Sequence, residues 1–330
     1  MNYQLSKKIL EEVKGAGKIL INCHINPDPD GVGSAIALSE VLSNMGKDVT
    51  VVSSVEINEL LNFLDGIKKI KVVDYSDFEF SAFDLFISLD SSSLDRSVGV
   101  SKDKVLPTKI INIDHHSANQ MFGEINLVDE KLVSVAELLF RVFMDWGVDL
   151  DASTATALLT GIIGDSGAFR FPGTTSETFK TACDLMARGA DKNKIIFNIY
   201  FSYRLEYFKF WSEVLKTINF DEEYGFVWSA IPYEVFAKCG AKMDFKEVAA
   251  SLFFESVKDS NFGLLMVEQE KAKLGVSFRS RTGFDTSEIA RALGGGGHVY
   301  AAGATIEGLS FDKAVEKVLE VAKHYAKKNK

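Results

Sequence analysis

Short apolar runs alternate with helical patterns through the first half of the chain. Five of these runs, rich in Val and Ile, are typical of buried strands: KILINCHI, DVTVVSS, KKIKVVD, DLFISLD and KIINIDHH. A stretch with helical spacing, GVGSAIALSEVLSNMGK, follows the first run and is expected to end near Gly46. Strands separated by helices or crossovers indicate a parallel sheet, so we predict an α/β domain with helices on both faces of the sheet.

The pattern changes after about Ser134, where three helical stretches follow one another: VSVAELLFRVFMDWG, ASTATALLTGIIGD and SETFKTACDLMARGA. Aromatic residues then mark a further helical stretch near 192–214. Beyond it, alternating patterns predict more strands, YGFVWSAI, NFGLLMVEQE and KLGVSFRS, and a charged helix over 312–328. We therefore predict a parallel-sheet domain over 1–190, a helical linker over 191–215 and a smaller α+β domain over 216–330.

Composition and charge narrow the class of protein. No apolar stretch among the 330 residues approaches the roughly 20 that cross a bilayer, and the start lacks the apolar region of a signal peptide. Cys23, Cys183 and Cys239 are scattered without a Cys-x-x-Cys pair, which suits a reduced cytoplasm. The net charge of -9 argues against a broad basic face for long nucleic acid, but a short nucleotide held in a cleft remains compatible with it.

Carboxylates and imidazoles follow three of the predicted strands and one helical run. They are His24, Asp28, Asp30, Asp90, Asp114, His115, His116 and Asp165. Each of these residues alone is explained as a turn or strand-end residue. Together they place metal-coordinating side chains at one edge of a parallel sheet, which is the edge where such sheets bind small molecules. This set contains no thiolate, so it favours Mn²⁺ or Mg²⁺ over structural zinc. Two such ions about 3.5–4 Å apart activate water against a phosphate ester.

At these residues the chain resembles the DHH phosphoesterase family, which takes its name from the triplet Asp114-His115-His116. All four motifs match in order, and GGGGHVYAAG, over 294–303, resembles the signature of the DHH-associated C-terminal domain. Within the family, the chain is most similar to the stand-alone nanoRNase/PAP-phosphatase branch. The resemblance implies an oligoribonuclease-like hydrolase that acts on short oligoribonucleotides and 3′-phosphoadenosine 5′-phosphate (pAp), in a cleft between a catalytic and a substrate-binding domain.

The resemblance also implies a role for each motif residue. It implies six ligands for two Mn²⁺ ions, with Mg²⁺ as the alternative: His24, Asp28, Asp30, Asp90, His115 and Asp165. Asp90 would bridge the ions, with His24 and Asp28 on one of them and the other three ligands on the second. His116 would face the scissile phosphate as a charge stabiliser or proton donor. Asp114 would orient a neighbouring histidine.

The implied substrate contacts lie mostly in the second domain: Arg279, Gly295, Gly296, Gly297, His298 and, in the first domain, Arg96. For Arg96 a surface salt bridge is the alternative. One glycine suffices to end a helix, so four in a row suggest backbone that closely approaches a ligand. Three departures from the family pattern, namely Pro29, Ser166 and the run LVSVAE after the triplet, remove none of the implied ligands.

Several other functions share parts of this pattern. A cyclic-dinucleotide or pApA phosphodiesterase uses the same chemistry. A RecJ-type exonuclease is disfavoured by the acidic charge, and a manganese pyrophosphatase by the glycine-rich signature. A non-catalytic nucleotide-binding regulator belongs to a different class; such proteins usually lose metal ligands, and this chain keeps all of those implied. The expected partners are pAp, dinucleotides or short oligoribonucleotides, with neither long nucleic acid nor membrane, and a homodimer is compatible with the sequence.

Overall fold

The chain folds into two compact units, residues 1–202 and 203–330. The computed structural model describes residues 4–100, 105–240, 243–254, 256–297 and 299–328. None of the helices within these ranges combines the length and the apolar character needed to cross a membrane.

Unit one is built on a six-stranded sheet. Its strands are β1 (Lys18–Asn22), β2 (Asp48–Ser53), β3 (Lys71–Val72), β4 (Leu85–Leu89), β5 (Lys109–Asp114) and β6 (Ile125–Val128). The spatial order is β3-β2-β1-β4-β5-β6, and every neighbouring pair is parallel. The chain therefore adds strands on one side of β1 first and then, from β4 onwards, on its other side. In open parallel sheets, such a switch point between neighbouring strands is where ligands bind.

Seven helices of unit one accompany the sheet within the described residues. They are α1 (Gln4–Gly15), α2 (Pro29–Asn44), α3 (Leu94–Val98), α4 (Val135–Asp145), α5 (Ala152–Asp165), α6 (Ser176–Ala187) and α7 (Lys192–Phe201). Alternate strand residues point to opposite faces: Ile19 and Ile21 of β1 pack in a core with α1, α2, α4 and α5, whereas Leu20 packs with α3 and the segment 75–86. The sheet is thus covered on both faces, as predicted.

Unit two contains a mixed sheet. Its strands are β7 (Asn219–Asp221), β8 (Phe226–Ile231), β9 (Phe262–Glu270), β10 (Lys273–Ser280), β11 (Gly296–Gly297) and β12 (Ala301–Glu307). The spatial order is β11-β12-β10-β9-β8-β7, in which only the pair β8–β9 is parallel among the described strands.

Helices cover both faces of this second sheet. They are α8 (Leu205–Lys216), α9 (Tyr233–Lys238), α10 (Met243–Ala249), α11 (Thr286–Ala292) and α12 (Phe311–Lys328), and a π-helix over Ala250–Phe254 continues α10. One core joins the sheet to α11 and α12, and the other joins it to α8, α9 and α10. This is the smaller α+β domain that the alternating patterns predict.

The stretch predicted as a linker, 191–215, consists of two helices that belong to different cores. Ile195 and Ile199 of α7 are buried in unit one. Phe210 and Trp211 of α8 are buried in unit two. The boundary between the units therefore falls between α7 and α8. Of the aromatic residues in this stretch, three are buried and three are exposed: Tyr207, Phe210 and Trp211 are buried, and Phe197, Phe201 and Phe208 are exposed.

Candidate metal centre

The turn between β1 and α2 carries His24 and Asp28. Asp28 caps the helix, since its Oδ1 accepts a hydrogen bond from the N–H of Gly31 at 2.9 Å. Its Oδ2 lies 3.5 Å from Nε2 of the buried His24. A side chain at Gly31 would bring a Cβ within 2.8 Å of the His24 ring. The turn therefore directs one imidazole and one carboxylate towards the same point, and Gly31 leaves room for the ring.

Asp30 lies in the first turn of α2 and is completely buried. The backbone N–H groups of Val135 and Ala136, in the first turn of α4, donate to its two oxygens at 2.6 and 2.9 Å. A helix N-terminus stabilises a carboxylate in this way because its first N–H groups have no partner within the helix. A Cβ at Gly161 would lie 2.6 Å from Asp30 Oδ1, so α5 also closely approaches this carboxylate.

Asp90 directly follows β4, and its backbone adopts the left-handed conformation with φ of 53°. Aspartate tolerates this conformation better than most residues with a side chain. Its Oδ2 lies 3.4 Å from Nε2 of His24, and its Oδ1 lies 3.5 Å from Nε2 of His115. Asp90 therefore stands between the two histidines, at the switch point between β1 and β4.

His115 and Asp165 come from the end of β5 and the end of α5. The Nδ1 of His115 lies 3.2 Å from the carbonyl oxygen of Leu132, to which it can donate. This contact directs Nε2 towards Asp165, whose Oδ2 is 3.2 Å away. A backbone carbonyl that orients a histidine in this way is the usual partner of a metal-binding imidazole.

The six residues form two groups that meet at Asp90. One group is His24, Asp28 and Asp90, and the other is Asp30, His115 and Asp165; within each, ligand atoms lie within 4.8 Å of one another. Within the described residues, four buried side-chain atoms of this set have no hydrogen-bond partner: His24 Nδ1, His24 Nε2, Asp90 Oδ1 and His115 Nε2. Buried polar atoms without partners are rare. The donor set of carboxylates and imidazoles fits Mn²⁺ or Mg²⁺.

Repulsion between the carboxylates of the cluster also favours the binding of cations. Burial and the neighbouring carboxylates raise the pKa of Asp30 well above its usual value, and burial chiefly raises that of Asp165 to about 6. Burial lowers the pKa of His24, but Asp28 and Asp90 outweigh it and raise the pKa to about 10. Four ionised carboxylates in the two groups would carry four negative charges. Two divalent cations would balance them.

His116 belongs to a hydrogen-bonded network beside the cluster. Its Nδ1 is 2.7 Å from Oδ1 of the buried Asp114, and it also lies 3.6 Å from Asp90 Oδ1. Asn119 donates to Asp114 Oδ2 at 2.5 Å and to the Asn112 side chain at 2.8 Å. The carboxylate thus lies between a histidine and an amide that fix its position.

Asn119 has no counterpart among the residues expected from the sequence. Its only sequence signal is its position in the short polar segment SANQ that follows the histidines. Leu132, which contributes its carbonyl to His115, gives no signal at all because any residue has the same carbonyl group.

The residues at which the chain departs from the family pattern are accommodated locally. Pro29 occupies the first turn of α2, where its missing N–H costs no helical hydrogen bond. A Cβ at Gly164 would come within 2.6 Å of the Pro29 ring, so the glycine leaves room for the proline. Ser166 accepts a hydrogen bond from the N–H of Phe169 at 2.9 Å and stabilises the turn after Asp165.

The expected substrate contacts are distributed over both units. Arg96 is exposed on α3, and its carbonyl oxygen accepts a hydrogen bond from Ile25 at 3.1 Å, directly after His24. Arg279 is half-buried on β10, where its Nε donates to Ser251 Oγ at 3.0 Å and its Nη1 donates to the Phe278 carbonyl at 2.9 Å. His298 lies outside the described residues.

The fold itself accounts for three of the four consecutive glycines. Gly294 follows α11 with φ of 82°, the usual conformation of a helix C-terminal glycine. A Cβ at Gly295 would lie 2.1 Å from the Gly303 carbonyl oxygen, and one at Gly297 would lie 2.5 Å from Ala302. Only Gly296, of the four, has open space beside its Cα and a φ that other residues adopt. Close backbone packing therefore gives Gly295 and Gly297 a structural reason besides the predicted approach to a ligand.

Two families match the chain. Residues 18–162 match the DHH family, N-terminal domain, and residues 235–328 match the DHHA1 domain. The first range contains all the expected metal ligands except Asp165, and the second contains Arg279 and the glycine run.

Individual relatives match over nearly the whole chain. The bifunctional oligoribonuclease and PAP phosphatase NrnA of Thermus thermophilus is 33% identical over 97% of this chain and 93% of its own. The protein of the same name from Bacillus subtilis is 27% identical over 90% and 91%. The crystal structure of an exopolyphosphatase-related protein from Bacteroides fragilis superposes with a TM-score of 0.89 and 25% identity, over 98% of both chains.

Proposed function

This chain belongs to the DHH family of phosphoesterases, and from that premise we propose that it hydrolyses short oligoribonucleotides and pAp with the help of two Mn²⁺ ions. The substrate class follows the two NrnA relatives, and the phosphoesterase chemistry follows the family. The single observation that carries the proposal is the position of Asp90, with one oxygen facing each of two histidines that belong to separate ligand groups.

We assign the metal ligands as two sets that share Asp90. His24 and Asp28 would hold one ion, and Asp30, His115 and Asp165 would hold the other. When bound, such ions polarise phosphoryl oxygens and lower the pKa of water, which is the chemistry that phosphate ester hydrolysis needs. The N-terminus of α4 keeps Asp30 in place, and the Leu132 carbonyl keeps His115 in one tautomer.

His116 is the residue that we assign to the scissile phosphate. Because Nδ1 is held by Asp114, His116 must act on the substrate through Nε2. The pKa of His116 is lowered by burial but is raised overall by Asp114 and Asp90, so the ring carries a positive charge at neutral pH more readily than an ordinary histidine. A charged imidazole can stabilise the phosphate and donate a proton to the departing oxygen.

The network that holds His116 can be tested through Asn119. We expect Asn119→Ala to lower kcat by about 10- to 100-fold, the usual effect of removing a group that orients a functional side chain. Metal content should not change, because Asn119 contacts no assigned ligand among its hydrogen-bond partners. The measurement is kcat on a dinucleotide together with bound Mn²⁺ per chain. Asn26→Ala, an exposed asparagine near His24, is the control and should behave as the wild type.

The second unit would hold the far end of the nucleotide. Arg279 is the residue we assign to this contact because Ser251 and Phe278 fix the plane of its guanidinium group. A fixed guanidinium group recognises phosphate with little loss of side-chain entropy. Gly295, Gly296, Gly297 and His298 would complete the proposed contact, and Arg96 would provide one from unit one.

Arg279→Ala should lower kcat/KM on a dinucleotide by about 10- to 100-fold, because a hydrogen bond to a charged group contributes about 1.5–3 kcal/mol. Hydrolysis of bis-p-nitrophenyl phosphate, which lacks the second nucleotide, should change little. Arg281→Ala removes an exposed arginine two residues away and should leave both rates unchanged. Equal losses on the two substrates would place Arg279 in the catalytic machinery or in the fold instead.

The experiment that tests the function is a substrate panel with Mn²⁺ and with Mg²⁺. It contains dinucleotides, pAp, pApA, a cyclic dinucleotide and a long single strand, and the products are separated by chromatography. We expect fast hydrolysis of the dinucleotides and pAp with Mn²⁺. Preference for the cyclic dinucleotide would favour the alternative phosphodiesterase, and no hydrolysis of any compound would refute the proposal.

We further propose that the enzyme works in the cytoplasm. Its three cysteines are free, and Cys183 is exposed, which suits a reducing compartment.

A further inference from the structure

A cavity of about 840 Å³ opens beside the carboxyl ends of β1, β2 and β3. Its walls combine aliphatic side chains, with Ile25, Val72 and Val98 among them, and polar groups such as Ser54 and Ser76, and Tyr75 also lines it. Tyr75 is only 5% exposed and packs on Phe80 with a distance of 6.2 Å between ring centroids. The volume is in the range of small-molecule sites, and the packing of Tyr75 gives it a firm wall.

The charge of this cavity disfavours a phosphate as its ligand. Asp74 is the only charged residue among those that line it in the described part of the chain. Its Oδ1 accepts the N–H of Ser76 at 2.9 Å, and this hydrogen bond lowers the pKa of the carboxylate. Asp74 is exposed, and its ionised carboxylate repels anions and accepts hydrogen bonds, so it fits a flat, neutral ligand that carries a donor.

The cavity begins one residue away from the candidate metal centre. Ile25, which lines it, directly follows His24. The N–H of Ile25 donates to the Arg96 carbonyl. From Arg96 the chain continues to Val98, the last residue of α3, and to Gly99, and both of these line the cavity. A nucleotide whose phosphate lies at the metal centre therefore has aliphatic surface close by, next to the Asp74 carboxylate.

We propose that this cavity binds one nucleobase of the substrate and selects the bases with an exocyclic amino group, adenine, cytosine and guanine, over uracil, because that group would donate to Asp74. The valine walls would contact the faces of the base. Uracil presents a carbonyl oxygen in place of the amino group, and this oxygen would face the carboxylate without a hydrogen. The inference rests on the proposed function and adds a base preference that the metal centre alone does not produce.

The preference is measured as the ratio of kcat/KM for pApA to that for pUpU. We expect the wild type to favour pApA by about tenfold, the lower end for a hydrogen bond to a charged group. Asp74→Ala should bring the ratio close to one, mainly through slower hydrolysis of pApA. Asp77→Ala removes another exposed carboxylate of the same segment, which does not line the cavity, and should keep the ratio.

A second variant tests occupation of the cavity without relying on Asp74. Val72 is 49% exposed on the edge strand β3, so Val72→Trp can fill the cavity without disturbing the core. It should slow hydrolysis of both dinucleotides by about tenfold or more and leave bis-p-nitrophenyl phosphate unaffected. Val72→Thr keeps the shape of the side chain and is the matched control.

Calorimetry of adenosine and uridine binding to the whole chain separates the proposed base-binding cavity from the proposed phosphoesterase function. Tighter binding of adenosine that both Asp74→Ala and Val72→Trp weaken supports the cavity, even if no phosphoester is hydrolysed and the proposed function fails. Hydrolysis of dinucleotides with an unchanged base ratio in Asp74→Ala overturns the cavity and leaves the phosphoesterase proposal intact. Equal binding of the two nucleosides also overturns it.

Discussion

Asp90→Asn is expected to lower kcat/KM on a dinucleotide by about a thousandfold. Asparagine has the same shape and tolerates the left-handed backbone at this position, where φ is 53°. It lacks the negative charge that we propose to act on both ions, and removal of one partner from a buried charge pair costs about 3–5 kcal/mol. The fold should survive, because Asp90 follows a strand and is not part of an apolar core.

The measurements are kcat/KM with Mn²⁺, bound Mn²⁺ per chain and the circular dichroism spectrum. Both ions should bind more weakly, since Asp90 contacts a histidine in each ligand group. Asp95→Asn, an exposed carboxylate in the first turn of α3, is the control and should retain full activity. A variant at position 90 that kept a tenth of the activity with two tightly bound ions would disprove the bridging role.

Gly33→Ala is expected to destabilise unit one by about 3 kcal/mol, at the upper end for an overpacked core. A Cβ at Gly33 would lie 2.3 Å from the carbonyl oxygen of Ala157, an atom of the α5 backbone that no rotamer change can move. The two helices would have to separate. For a unit of this size the melting temperature should fall by about 6–12 °C.

The same separation should weaken metal binding, because α2 carries Asp30 and α5 carries Asp165. Thermal unfolding followed by circular dichroism and titration with Mn²⁺ test the two effects. Gly15→Ala is the matched control, since a Cβ at the end of α1 meets no atom within 4 Å and should leave the melting temperature unchanged or slightly higher. An unchanged melting temperature in Gly33→Ala would show that the helices adjust without cost.

The strongly patterned elements were predictable from the sequence alone. The helix Ala152–Asp165 and the strand Lys273–Ser280 begin and end where their patterns do. Strand β6 was missed because it has four residues, of which only Ile125 and Leu127 are buried. Helix α1 was missed as well, although its three buried residues, Ser6, Ile9 and Val13, recur at helical spacing. A four-residue strand contributes too few positions for a period to stand out, whereas the twelve residues of α1 carry a pattern that the sequence does show.

The chemistry of the site could also be predicted from the sequence, because the residue types and their places at strand ends depend only on the order of neighbouring residues in the chain. His24, Asp90 and His115 each follow a recognisable strand, and parallel strands end at one edge of their sheet. Which of these residues face one another was decided by strand order. β1 and β4 are neighbours although two strands lie between them in the chain, and this pairing places Asp90 within 3.4 Å of His24.

Only the tertiary structure decided what supports the ligands. The N-terminus of α4 reaches Asp30 across more than one hundred residues of chain, and a backbone carbonyl orients His115. Backbone groups are the same at every residue, so no local pattern of side chains reveals which of them will meet a particular carboxylate or imidazole. Gly33 and Gly161 allow helices to pack closely. The distance between two helices is set only when both have packed on the sheet, so the sequence alone does not reveal this close packing.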